Sequence, residues 1–270
     1  MVIGNINMSE MWRIAPFALP NVKTAFNLKL NKFIDLFNIA KDEEEKKDTL
    51  TKGIDAYTIF NNTLIFPING ILIPEADELD KYFGFSSTFE LMDDFKDLLE
   101  SIKDSDIKRI ILHINSPGGQ ALGVTEFAEL IHEASKSIDI ISFSNIQVTS
   151  AGYQLAAATR GIYTTKTTII GSIGVKIVIF KEKSNYYDTL IFEKGDLKSA
   201  GDPSSPLTMA EMKHFIEWVE LDYNDFVTTV ADYRSLPKAE VEATKSKYIQ
   251  SSYEPWFSDG IVKNIEELVI

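Results

Sequence analysis

The sequence predicts an α/β fold built mainly from parallel strands joined by crossover helices. From residue 56 onward, short β-rich runs alternate with amphipathic segments, the order that crossover connections require. Two runs, Ile107–Ile114 and Ile138–Phe143, are nearly continuous β-branched and apolar sequence, as expected of strands buried on both faces. The segments between the runs repeat apolar residues at helical spacing.

Before that region, residues 1–20 read as irregular, with Met11-Trp12 and two prolines, Pro16 and Pro20. Residues 22–41 read as a helix capped by Asn21, with Phe26, Leu30, Phe33, Ile34 and Phe37 on one stripe. The charged run Lys41–Asp48 reads as a solvated linker. Residues 1–50 are therefore expected to be an N-terminal helical extension, and residues 51–270 one domain.

Tyr57–Phe60 and Leu64–Ile73 read as strands, the second placed at an edge or bent by Pro67 and Gly70. Ser87-Thr88-Phe89-Glu90 has the form of a capping box and opens a helix with Phe89, Met92, Phe95, Leu99 and Ile102 on one face. After Ile107–Ile114 comes a Gly-Gly turn, then a helix marked by Val124, Phe127, Ala128 and Ile131. Ala151–Ala158 reads as an alanine-rich helix. Ile162–Thr164, Ile173–Phe180 and Thr189–Glu193 read as strands. Thr208-Met209-Ala210-Glu211 is a second capping box, starting a long helix that turns Met212, Phe215, Val219, Phe226 and Val230 inward.

Composition narrows the function. Apolar residues make up 44% of the 270, enough for a core, and the formal net charge is −13. That balance argues against a sequence-independent grip on nucleic acid and against docking on anionic lipid. Cysteine is absent, which excludes disulfides, thiolate metal sites and cysteine-protease chemistry. The three histidines, His113, His132 and His214, form no HExxH pair, so a zinc hydrolase is not expected. No run is long and apolar enough for a transmembrane helix, and no signal-peptide pattern opens the chain. The expectation is a protein without a membrane anchor, metal or cofactor, residing in the cytoplasm.

The chemistry-bearing residues lie in order along the chain. Ser150, between Thr149 and Ala151-Gly152, sits where a short strand should give way to a helix. A serine hydroxyl needs a base to become a nucleophile. The small neighbours leave room for a substrate backbone, and the following helix directs its positive end at developing negative charge. The competing reading makes Ser150 a helix N-cap. The turn at Gly118-Gly119 can aim backbone N–H groups into a cleft as an oxyanion hole, to which Ala151 would add its own amide. Its competitor is an ordinary strand-to-helix turn. Lys198 lies in Gly195-Asp196-Leu197-Lys198-Ser199-Ala200-Gly201, where small residues let the chain pass close to a cleft. A lysine becomes a general base when burial or nearby positive charge lowers its pKa. Lys194, Lys181 and above all Lys176 are rival bases. A Ser–His–Asp triad is disfavoured, because His113 falls within a buried strand and His132 and His214 on helices.

Four motifs in this order resemble the signal peptide peptidase A family of serine peptidases, which includes the protease C enzymes of tailed-phage heads. They are Asn115-Ser116-Pro117-Gly118-Gly119, Thr149-Ser150-Ala151-Gly152-Tyr153, Gly171-Ser172-Ile173-Gly174-Val175 and Leu197-Lys198-Ser199-Ala200-Gly201. The resemblance spans residues 56–265 and loosens at the end, where Lys245-Ser246-Lys247-Tyr248 replaces a glycine-arginine step. It implies a ClpP/crotonase-like right-handed spiral of ββα units. It also implies Ser150 as nucleophile, Lys198 as base, Gly118 and Gly119 as the oxyanion turn, and a homo-oligomeric ring in which the lysine can come from a neighbour. Met11-Trp12-Arg13-Ile14-Ala15-Pro16 resembles the start of phage-head proteases, and with no anchor in view this favours a capsid or scaffold polypeptide as substrate, cleaved inside a prohead, over a cellular signal-peptide peptidase. Two other classes remain as alternatives: a crotonase-like acyl-CoA enzyme, and a non-catalytic assembly protein whose N-terminal helix is an interaction arm.

Overall fold

The computed structural model describes residues 10–14, 57–179, 181, 193–253 and 257–270. The helix expected over residues 22–41, the charged linker and most of the expected strand at Thr189–Glu193 lie outside the described residues. Fourteen strands are described: β1 (Glu10–Ile14), β2 (Thr58–Phe60), β3 (Thr63–Asn69), β4 (Ile71–Ile73), β5 (Phe85–Ser87), β6 (Arg109–Asn115), β7 (Gly118–Gln120), β8 (Asp139–Ser144), β9 (Gln147–Thr149), β10 (Ile162–Thr164), β11 (Ile169–Gly171), β12 (Lys176–Val178), β13 (Tyr248–Gln250) and β14 (Gly260–Ile261). The helices are α1 (Glu78–Tyr82), α2 (Thr88–Ser101), α3 (Val124–Ser135), α4 (Ala151–Ala157), α5 (Met209–Tyr233) and α6 (Lys238–Ala243).

The strands form a six-stranded sheet of order β14-β10-β8-β6-β3-β2, a five-stranded sheet of order β12-β1-β7-β4-β5, and a three-stranded sheet of order β13-β11-β9. Their assignment along the chain reveals the repeat. β3, β6, β8 and β10 each enter the large sheet, parallel to one another. Each is followed at once by a short strand outside that sheet: β4 and β7 in the five-stranded sheet, β9 and β11 in the three-stranded one. Helix α3 follows the β6–β7 pair and α4 follows β8–β9. This is the spiral of ββα units that the resemblance implied.

Local chemistry explains where the strands stop. The run Leu64–Ile73 is two strands, broken at Gly70, with Pro67 two residues past Ile65, the last one paired with β2. A proline there removes no ladder bond on that side. β6 and β8 pair in register, Ile110 opposite Ile140 and Ile111 opposite Ile141, both layers buried. The core continues through edge-to-face rings, Phe66 on Phe95 at 5.3 Å and Phe95 on Phe127 at 5.8 Å, a geometry that adds to area burial. Leu98, absent from the expected face of α2, is also fully buried.

Both capping sequences cap. Ser87 Oγ accepts from the Glu90 amide at 3.1 Å, although the Glu90 carboxylate turns to Lys81 instead of completing the box. At α5 the box is reciprocal: Glu211 N–H donates to Thr208 Oγ1, and Thr208 N–H donates to the Glu211 carboxylate. The inward face expected for α5 holds only in its second half. Phe226, Val227, Val230 and Ala231 are buried, whereas Met212, Ile216, Trp218 and Leu221 are exposed. Periodicity alone placed Met212 inside; among the described residues, the core meets α5 from Tyr223 onward.

Candidate active site

Ser150 stands between the last residue of β9 and the first of α4, with φ 56° and ψ −123°. A non-glycine residue in this region is strained, at a cost of order 1–3 kcal/mol, and persists when its surroundings over-determine it. The surroundings are visible. Ser150 N–H donates to the Gly171 carbonyl at 2.9 Å, and its carbonyl accepts from the Gln154 amide, starting the helix. β9 is locked between β11, with Thr149 opposite Gly171, and an isolated bridge from Val148 to Ser116. Helix α4 is buried along its whole length. Tyr153 anchors it, donating to the Phe257 carbonyl and packing edge-on to the Phe257 ring; burial pushes its phenol far above the ordinary tyrosine range.

The N-cap reading of Ser150 fails, because the side chain makes no capping bond. The hydroxyl is fully buried, and among the described residues it has no hydrogen-bond partner; the same holds for Thr149 Oγ1 beside it. Leaving such a group unsatisfied costs about 1–3 kcal/mol. A strained, buried serine with an unused hydroxyl is the pattern of a group kept for chemistry rather than for stability.

The Gly118-Gly119 step is a strand, not a turn. β7 carries Gly118 at φ 96° and sets Gly119 opposite Leu72 of β4. The glycine is obligatory at position 119: a Cβ there would lie 1.8 Å from the Leu72 carbonyl oxygen. Gly118 N–H donates to Ser116 Oγ at 3.1 Å, so in this state it is engaged within its own loop. Ser116 is the residue that sequence reasoning quoted without giving a role. It accepts that amide, receives the Thr149 N–H on its carbonyl, and packs on Gly152, whose Cβ would lie 3.1 Å from its own. Gly152 thus makes room for Ser116 rather than for a substrate. Ala151, as the first helical residue, presents an amide with no acceptor inside its helix.

Lys198 lies in an exposed turn closed by its own N–H on the Gly195 carbonyl. Its side chain is exposed and is not a hydrogen-bond partner of the Ser150 hydroxyl. The loop that follows it is fastened to α5. Gly201 N–H donates to the buried Glu211 carboxylate at 3.3 Å, and Lys181 Nζ donates to the carbonyls of Asp202 and Ser205. Lys181 is thereby committed to structure. Of the rival bases, Lys176 on β12 is half-buried, and burial pushes its ammonium down from the ordinary lysine range; Lys194 is exposed. The histidines serve elsewhere: His113 contacts Asn115 and Asn145, His132 stacks on Tyr233 at 4.1 Å, and His214 lies by Trp218.

The Glu211 carboxylate gives the loop a pH dependence. Hydrogen bonds, first from the Thr208 backbone, hold it below the usual glutamate range. A depressed folded-state value means that the stabilisation is complete above the ordinary glutamate range and is lost as pH falls through the lowered value. The protection of the Gly201 amide relative to its intrinsic exchange rate should therefore fall on acidification through that interval, and Glu211→Gln should make that acid dependence disappear.

A crotonase-like acyl-CoA enzyme would use paired carboxylates in the cleft. Glu75, Asp77, Asp80, Glu90 and Asp93 line a separate cavity of about 550 Å³ that neither Gly119 nor Ser150 lines. Among the described residues no helix is long and apolar enough to cross a membrane, and no cluster of His, Asp or Glu could hold a metal ion.

Comparison with known proteins finds similarity to peptidases. The model of peptidase family S49 matches residues 132–251, a stretch that includes both Ser150 and Lys198. The chain is 28% identical over 61% of its length to "Putative protease MJ0651" of Methanocaldococcus jannaschii, covering 51% of that protein. It is 27% identical over 80% of its length to "Putative signal peptide peptidase SppA" of Enterococcus faecium, covering 67% of it. It is 23% identical, again over 80%, to "Capsid assembly protease C" of Escherichia phage lambda, covering 50%. The chain thus spans about half to two thirds of the length of these relatives.

Proposed function

We propose, from the match of residues 132–251 to the model of peptidase family S49, that the protein is a serine endopeptidase working through an acyl-enzyme on Ser150. The observation that carries this reading is the strained, fully buried Ser150 with its unpartnered hydroxyl. Ser150 Oγ attacks the scissile carbonyl carbon while Lys198 takes the hydroxyl proton. The amides near Gly119 and Ala151 receive the developing oxyanion. Lys198 then delivers its proton to the leaving amine, and a water activated by the same lysine hydrolyses the ester, restoring Ser150. No metal or cofactor enters the cycle.

Lys198 comes from a neighbouring copy in this reading. Its exposed position and the absence of a base on Ser150 within the described chain support that arrangement. Ser150→Ala and Lys198→Ala chains should each be inactive on an unfolded protein. Mixed and allowed to exchange, they should recover about a quarter of full activity, the statistical share of interfaces that join an intact Ser150 to an intact Lys198. No recovery contradicts supply by a neighbour, and a fully active Lys198→Ala chain removes Lys198 from the mechanism.

The substrate we propose is an extended segment of a capsid or scaffold polypeptide, bound by strand addition. The resemblance of Met11–Pro16 to the start of phage-head proteases supports it, as does the similarity to the lambda protease. The similarity to the Enterococcus protein favours a second reading, a cellular protease acting on signal-peptide-like segments. Cleavage of a co-expressed capsid protein, but not of signal-peptide fragments, is the expected result; the reverse selects the second reading.

A further inference from the structure

Strand β1 occupies a place that its position in the chain does not explain. It is an interior strand of the five-stranded sheet, second from one edge, antiparallel to β7 on one side and to β12 on the other. Trp12 faces both Gln120 and Lys176, and Arg13 faces Gly119. Without β1 that sheet would divide into β7-β4-β5 and a lone β12. The division would leave two strand edges about 9.5 Å apart, twice the spacing of neighbouring strands, a slot one extended peptide wide.

The slot ends at Ser150. β7 begins two residues after Ser116, which bridges Val148 two residues before Ser150, and α4 packs against β7. Because β1 runs antiparallel to β7, its last residue, Ile14, is the one opposite Gly118. The strand thus enters at the far end of the slot and delivers its C-terminal residue at the nucleophile's end. This is the direction in which the acyl half of a peptide substrate must lie for its carbonyl to reach Ser150.

We infer that the gap between β7 and β12 is the peptide-binding slot, and that β1 is its resident occupant, an autoinhibitory strand that substrate must displace. The inference rests on the proposed role of Ser150. Its partner class is an extended polypeptide backbone recognised through ladder bonds on both sides, with selectivity left to side chains at alternate positions. Since β1 is covalently attached, it competes at an effective concentration that a free peptide must exceed. The fraction of molecules with an open slot multiplies every apparent affinity for substrate.

Arg13→Pro in the full chain tests this, because a proline inside a two-sided strand removes a ladder bond and clashes with its neighbours. Two reagents report on Ser150: a small fluorophosphonate, which needs no slot, and one carrying a five-residue peptide, which does. The peptidyl reagent should label the Arg13→Pro chain about tenfold faster than the unaltered chain, as expected if the slot is open in about a tenth of molecules. The small reagent should label both alike. Ile14→Pro, which breaks the pairing at the next position, opposite Gly118, should give the same selective gain and guards against a folding defect at one position. Equal rates for both reagents in all three chains overturn the autoinhibitory strand and leave Ser150 as nucleophile. Absence of label on Ser150 from either reagent overturns the nucleophile reading itself.

Discussion

Ser150→Ala is expected to abolish peptide-bond hydrolysis, lowering kcat/KM by about ten-thousandfold or more, as loss of a nucleophile does. Its effect on stability should run the other way. The hydroxyl is fully buried and unpartnered among the described residues, so removing it discards an unsatisfied polar group worth about 1–3 kcal/mol. The backbone strain at φ 56° remains in the alanine variant, so the relief comes from the hydroxyl alone. A thermal unfolding midpoint equal to or above that of the unaltered chain, together with lost activity, is the expected pair. A large fall in the midpoint would instead mark Ser150 as a structural residue whose partner lies outside the described chain.

Gly119→Ala should be among the most damaging single changes in the protein. The added Cβ would lie 1.8 Å from the Leu72 carbonyl oxygen and 2.5 Å from its carbonyl carbon. Both obstacles are backbone, so no side-chain rotation relieves them, and β4 and β7 must separate. Overpacking of a flexible site costs about 1–3 kcal/mol; this rigid one should cost more than about 3. For a chain of this size that is a fall of roughly 6–12 °C in Tm. Activity should fall with it, since β7 forms one wall of the proposed slot. A Tm within a degree or two of the unaltered chain would mean that β4 and β7 do not pair as described.

Comparing these residues with their sequence shows which physics is local. β6, β8 and α3 were legible because each buries a full face, and burial writes itself into composition and period. The order of the motifs around Gly118, Ser150 and Lys198 pointed to a candidate site, although Lys198 makes no hydrogen bond to the Ser150 hydroxyl. What was not legible depends on partners far along the chain. Gly118-Gly119 looks like a turn, and only its pairing with Leu72 and the close approach of that carbonyl make it a strand. β11, β13 and β14 have two or three residues each, too few for a pattern, and exist through their neighbours. β1, in a stretch that reads as irregular, is a strand only because β7 and β12 accept it. The roles of Ser116 and of the Gly171 carbonyl likewise follow from contacts between loops. Met212 had the right period and the wrong address, because the core does not reach the first half of α5.

The central claim is that Ser150 carries the acyl group during peptide hydrolysis. It can be tested by mixing the protein with an excess of an activated peptide ester, quenching in acid within the first turnovers, and locating the added mass after digestion. The account predicts an acyl adduct on the fragment containing Ser150, absent from the Ser150→Ala chain and formed far more slowly in the Lys198→Ala chain, which lacks the base for acylation. An adduct on another residue, or hydrolysis at full rate with no covalent species and an active Ser150→Ala chain, would contradict it.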